Sequence, residues 1–206
     1  MIDPSTPTVF VVDDDEAVCK SLVWLIGSVG LAVRAYENAD AFLASWTEER
    51  PGCLVLDVRM PGMSGLELQD ALARRGSSLP VIIITGHADV PMAVRALKAG
   101  AVDFIEKPFN DQVLLDRIQD AVKRSQAAFA EQARRALVQA LLARLTPRER
   151  QVAELVAAGK PNKVIAFELD LSMKTVEVHR HNVMDKLEVA SVADLTRLFV
   201  EANATP

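Results

Sequence analysis

Four places in the chain carry side chains that could do chemistry. They are Asp13-Asp14-Asp15, Asp57, Thr85 and Lys107, and each lies at or just after the end of a β-prone apolar run (VFVV, CLVL, VIII and DFI). Carboxylates gathered on one rim repel unless a cation sits among them. A hard divalent ion with oxygen ligands, such as Mg²⁺, suits them. Lys107 adds a positive point charge and Thr85 a hydroxyl donor. Together these groups would hold a phosphoryl group while one carboxylate attacks its phosphorus. Asp57, at the end of the central strand, is the natural nucleophile.

Such a site forms only if the runs are strands that end at one edge. Strands are expected at Val9–Val12, Ala32–Tyr36, Leu54–Leu56, Val81–Thr85 and Val102–Ile105. Helical stretches lie between them at Glu16–Ser28, Ala39–Trp46, Gly65–Arg75 and Pro91–Ala99, with a last helix from about Asn110. Strand–helix alternation with long connections argues for a parallel sheet covered on both faces. The continuously apolar strands agree. The fold class is therefore α/β, a doubly wound, flavodoxin-like five-stranded parallel sheet. Its ligands should bind beyond the carboxyl ends of the strands.

The 206 residues allow one large domain or two small ones, and half of them are hydrophobic. That composition excludes wholesale disorder. No apolar run approaches the roughly 20 residues a bilayer requires, and no charged start leads into an apolar stretch. Neither a membrane span nor a signal peptide is expected. Cys19 and Cys53 sit in apolar runs, as buried thiols of a cytoplasmic protein would. The net charge of −5 hides an asymmetry: residues 1–122 hold 10 Lys+Arg against 18 Asp+Glu, and residues 123–206 hold 13 against 10. Opposite signs in the two halves point to two domains with different partners.

Phe109 to Thr146 contains no Gly or Pro, so the last helix should run on as a helical linker. Beyond it, Thr146-Pro147-Arg148-Glu149 is a capping box with Pro at the first helical position. Gly159 ends that helix, a second spans about Asn162 to Asp170, Ser172 caps a third, and Ser191 with Asp194 opens a fourth. A short connection between the second and third makes a helix-turn-helix candidate. The expected organisation is a tail over 1–7, an α/β domain over 8–123, a linker over 124–143 and an all-α domain over 144–206.

The third helix separates into faces at about 100° per residue. Val176, Val183 and Leu187 lie about 140–180° from Val178, as one apolar face. Lys174, Glu177, His181 and Asp185 lie within about 100° of Val178, which is stranded among them. In a helix that reads DNA, Val178 would meet a thymine methyl, Glu177 would accept from cytosine and His181 would donate to a purine. Thr175, Asn182 and Lys186 lie on the flank where a backbone strand would pass. With Asn162, Lys163 and Lys174 they form the expected phosphate contacts.

The segments VVDDDEA, LVLDVRMPGMSG, VIIITGHAD and VDFIEKPF resemble, in order, the receiver domain of two-component response regulators, and their wording is nearest the FixJ-type subgroup. Residues 144–203 resemble the LuxR-type helix-turn-helix. The resemblance implies that a sensor histidine kinase phosphorylates Asp57. It implies that Asp13, Asp14, Asp57 and the main-chain carbonyl of Arg59 hold Mg²⁺, and that Thr85 and Lys107 contact the phosphoryl oxygens. Phe104 would be the switch aromatic, and the Lys107–Pro108 bond would be cis. The fourth helix and fifth strand would form the face of a phosphorylated homodimer that binds double-stranded DNA and meets RNA polymerase. Such a protein is a regulator and not an enzyme in its own right, although its receiver assists its own phosphoryl transfer and hydrolysis. Two alternatives remain open at this point. One is a phosphorylation-independent DNA binder with a vestigial receiver. The other is an Asp13-dependent phosphatase of the haloacid-dehalogenase type, from which Ala17 departs.

Overall fold

The computed structural model describes residues 6–46, 50–87 and 89–203, so most of the expected tail lies outside the described residues. The chain divides between Phe129 and Ala130 into two compact units.

In the first unit five strands, β1 (Thr8–Val12), β2 (Ala32–Tyr36), β3 (Gly52–Asp57), β4 (Val81–Thr85) and β5 (Asp103–Glu106), form one sheet in the order β2-β1-β3-β4-β5. Every pairing is parallel. Helices α1 (Glu16–Ser28), α2 (Ala39–Ser45), α3 (Gly65–Arg74), α4 (Val90–Lys98) and the N-terminal part of α5 (Asp111–Leu142) complete it. Alternate strand residues feed two cores. Val9, Val11, Val55, Ile82 and Ile84 pack with Leu22 and Ile26 of α1 and Leu114 and Ile118 of α5. Phe10, Val12, Leu54, Leu56 and Ile83 pack with Phe42 of α2, Leu68 and Leu72 of α3, and Ala96 of α4. Burying such side chains contributes roughly 1.5–3 kcal/mol each, which is why the apolar runs become the sheet.

The strand order reverses direction between β1 and β3, and this is where the doubly wound fold opens a crevice. Val12 pairs with Leu56, so Asp13 and Asp57 continue the same register side by side. Asp57 in turn pairs with Ile84, directly before Thr85. The fifth strand begins at Asp103, one residue later than expected, although the N–H of the exposed Val102 already reaches Val81 O of β4 at 2.8 Å.

The second unit contains α6 (Pro147–Ala157), α7 (Asn162–Leu169), α8 (Met173–Lys186) and α9 (Val192–Asn203). The capping boxes do their expected work. Thr146 and Glu149 satisfy one another's backbone N–H, Ser172 accepts from Thr175 N, and Ser191 accepts from Asp194 N. The turn from α7 to α8 is Asp170-Leu171-Ser172, with Asp170 left-handed at φ 52°, a conformation its short side chain tolerates. Val152, Val156, Ile165, Val176, Val183, Leu187, Leu195 and Phe199 make the core. Val138 and Leu142, in the last turns of α5, belong to that core. Among the described residues no helix is long and apolar enough to cross a membrane.

Candidate functional site

The rim of the sheet gathers the predicted groups. Lys107 Nζ donates to Asp13 Oδ2 at 2.6 Å and to Asp57 Oδ1 at 2.8 Å. The other Asp57 oxygen accepts from Arg59 N at 2.6 Å, and Asp13 Oδ1 accepts from Asp15 N at 3.0 Å. Asp13, Asp57 and Thr85 are buried, whereas Asp14, Arg59 and His87 are exposed. Thr85 Oγ1 accepts from His87 N at 3.3 Å. The Lys107–Pro108 peptide is cis. Phe104 is partly buried against the core under α4.

Burial pushes the Asp13 carboxyl above the ordinary carboxylate range, and the hydrogen bond from Lys107 opposes it. Burial works against the Lys107 ammonium, but its bonds to Asp13 and Asp57 outweigh that and hold it above its usual value. One ammonium between two carboxylates leaves a net negative charge, and Asp14 stands beside it. Among the described residues no three acidic, His or Cys side chains close into a metal cage. The Lys107 ammonium is the positive charge that Asp13 and Asp57 share in this structure. The donor set is nevertheless all hard oxygen: two buried carboxylates, one exposed carboxylate and the carbonyls of the β3–α3 loop. That chemistry fits Mg²⁺.

Asp15 has a different job. Its carboxylate caps α1, accepting from Ala17 N at 2.8 Å and Val18 N at 3.3 Å. It satisfies helix N–H groups and stabilises the end of the dipole. This leaves Asp13 and Asp14 for the rim. It also removes the second acid that the phosphatase alternative needs.

Gly65 closes the loop that carries Arg59. Its N–H donates to Val58 O at 3.0 Å, and a Cβ there would lie 2.0 Å from the main-chain O of Asp57. Gly65→Ala must therefore move Asp57 or α3. It should reduce phosphoryl uptake by about tenfold or more, since a misplacement near 1 Å costs that much in a positioned site. Gly27→Ala, where a Cβ meets nothing within 4 Å, is the control. Equal uptake by both variants would show that the loop tolerates the shift.

Of the residues expected to touch DNA, Lys163, Lys174, Glu177, Val178 and His181 are exposed, with Val178 at 52%. The others already have partners or are partly covered. Asn182 is half-buried. Thr175 Oγ1 lies 2.7 Å from Ser172 Oγ at the start of α8. Asn162 Oδ1 accepts from Arg180 at 2.9 Å, leaving its amide N–H groups for other partners. Lys186, expected to lie freely along the flank, donates to the buried carboxylate of Glu149 at 2.7 Å. Arg180, and the tie of Glu149 to Lys186 beyond its expected capping box, are thus structural features of the second unit that faces and spacings did not disclose. Their partners lie 18 and 37 residues away in sequence.

The bond from Lys186, then that from Thr146 N, hold the Glu149 carboxyl down from its ordinary 4.5 to about 2. Its folded value lies below its unfolded value. The stabilisation it gives is therefore complete above about 4.5 and lost as pH falls toward 2. Glu149→Gln should lower the unfolding free energy of the second unit at neutral pH by roughly 1–3 kcal/mol. Urea unfolding of wild type and variant should converge as pH falls from about 5 to about 2.5. A gap that does not depend on pH would refute the ionic origin.

Residues 9–119 match the family model of the response regulator receiver domain, and residues 143–199 match that of the bacterial regulatory proteins of the luxR family. The chain is 49% identical over 199 residues to the transcriptional regulatory protein FixJ of Rhizobium meliloti (strain 1021), covering 97% of this chain and 98% of that one. The structure of the response regulator StyR superposes with a TM-score of 0.88 at 46% identity, covering 95% of this chain and 98% of that one. Full-length FixJ from B. japonicum gives 0.58 at 43% identity, covering 98% and 100%. The chain belongs to the response regulators that join a receiver domain to a LuxR-type DNA-binding domain, and it is a transcription regulator of that family.

Proposed function

We propose that Asp57 is the phosphoacceptor and that its phosphorylation by a sensor histidine kinase drives dimerisation and DNA binding. The observation that carries this reading is the Lys107 ammonium joining Asp13 and Asp57 at 2.6 and 2.8 Å on the rim. A carboxylate oxygen of Asp57 bonds to the phosphorus as the phosphorus–nitrogen bond of a phosphohistidine breaks. The electron pair stays on the imidazole nitrogen, which takes a proton from solvent. Lys107 and Thr85 then hold the phosphoryl oxygens. Asp13, Asp14, Asp57 and the carbonyl of Arg59 would hold Mg²⁺, which when bound neutralises charge on the transferring group. The phosphoryl transfer is self-assisted only in this sense: the side chains that hold the product also position the donor.

In this reading residues 8–123 are the input domain, 144–206 the reading head, and 124–143 the helical connection, whose last turns also lend Val138 and Leu142 to the core of the second unit. The expected dimer face is apolar. Val90, Val94 and Leu97 of α4 are exposed at helical spacing, and Val102 before β5 is exposed as well. Two such faces would bury one another in a two-fold dimer. Double-stranded DNA, and RNA polymerase bound beside it, are the partners of the head in the cytoplasm.

The test is DNA binding by the full chain with and without acetyl phosphate and Mg²⁺. Affinity for the target site should rise as dimers form. Equal affinity in both conditions would mean that the head binds constitutively and the receiver is vestigial.

A further inference from the structure

The first unit contains a buried amide with half of its hydrogen bonding unmade. Gln69 of α3 is 3% exposed and lies in the core beneath α4. Its Nε2 donates to the carbonyl of Ala96 in α4 at 2.9 Å. Its Oε1 is sealed from solvent and has no partner among the described residues. Buried acceptors are seldom left unmade, because they lose water without recovering a bond.

What Gln69 grips is the end of α4. The same Ala96 carbonyl accepts from Ala101 N at 3.0 Å, the bond that closes the helix before the chain enters β5. Little else holds this helix. Ala96 is the fully buried residue of α4, Met92 packs only partly, and Val90, Val94 and Leu97 face outward. The ion pair from Arg95 to Asp70 of α3, at 3.4 Å, is exposed and weak. A helix that buries little of its surface opens locally at low cost. A single buried polar tie then has a large share in where it rests.

We infer that Gln69 is the latch of α4: its amide holds the helix against α3 in the resting protein, and phosphorylation must overcome this bond to form the dimer face. The inference rests on the switch reading above. A half-satisfied amide makes a shallow resting minimum. A modest bias from the phosphorylated rim is then enough to shift the population.

Gln69→Met keeps the volume, removes the bond and also removes the unmade acceptor, so the global fold loses little. Hydrogen exchange of the unphosphorylated full chain should speed up over residues 90–101 by about tenfold, the change that loss of one buried hydrogen bond produces. Exchange elsewhere in the receiver should stay unchanged. Sedimentation should show a dimer constant without phosphodonor that is several-fold tighter than wild type. Gln69→Leu should shift both readouts the same way. Exchange unchanged over 90–101, faster exchange spread through the whole receiver, or faster exchange with no gain in dimerisation would each overturn the latch. Exchange of Gln69→Met in an Asp57→Ala background reads the latch alone. Phosphodonor-dependent dimerisation of wild type reads the switch alone, so the two ideas fail separately.

Discussion

Asp57→Ala is expected to abolish stable phosphoryl uptake from acetyl phosphate with Mg²⁺, a loss of about a thousandfold or more because the nucleophile itself is gone. Phosphodonor-dependent dimerisation should vanish with it. The fold should not suffer. Asp13 and Asp57 share one ammonium, and the charge of Asp57 adds to what raises the Asp13 carboxyl. Removing Asp57 leaves a simple Asp13–Lys107 pair, so thermal stability should stay level or rise. Radiolabelled phosphate retained by the variant would show that another carboxylate, Asp13 first among them, is the acceptor. A fall in stability of several degrees would show that the rim is held by Asp57 rather than merely occupied by it.

Lys107→Ala is the converse. It leaves two buried carboxylates without their counter-charge, so stability should fall. Uptake should weaken less than in Asp57→Ala, because the nucleophile remains. Dimerisation per phosphate taken up should fall more, because the group that follows the phosphoryl oxygens is gone. Equal dimerisation of phosphorylated wild type and variant would remove Lys107 from the switch.

The sheet and its rim were legible because both obey one-dimensional rules. Continuously apolar runs such as CLVL and VIII leave no face for water, so they become inner strands, and parallel strands put their carboxyl ends on one edge. Reading the residue after each run therefore lists the rim. The helical unit was legible through its caps, since Thr146-Glu149 and Ser191-Asp194 act within one turn. What stayed hidden depends on partners distant in sequence. Helical angles place Lys186 on an open flank, yet Glu149, 37 residues earlier, holds it. The cap of α1 is a local matter by contrast: a helix that starts at Glu16 makes Asp15 its N-cap, with partners two and three residues on. Gln69 reads as an ordinary polar helix residue until α4 is laid across it.

The reading head should separate specificity from affinity along the faces of α8. Val178, Glu177 and His181 are exposed together on that helix, so they are the expected base readers. Truncating any one of these base readers should cost roughly 1–3 kcal/mol of binding, and only on the cognate sequence. Lys163 and Lys174, exposed at the starts of α7 and α8, are the expected phosphate partners. Neutralising either should weaken all duplexes alike and flatten the salt dependence by about one unit of slope. Lys186 must behave differently from both, because its ammonium is bonded to Glu149. Lys186→Ala should lower the stability of the second unit and change the salt slope little. The measurement is titration of Val178→Ala, Lys163→Ala and Lys186→Ala against cognate and scrambled duplexes at several salt concentrations, with unfolding followed in parallel. If Val178→Ala weakens both duplexes equally, α8 does not lie in the groove as its exposed face indicates. If Lys186→Ala flattens the salt slope as Lys163→Ala does, the Glu149 pair opens on binding and Lys186 meets a phosphate after all. A dimer on a two-fold site further requires half-sites about one helical turn apart, so a footprint confined to a single half-site would leave the head intact and remove the dimer.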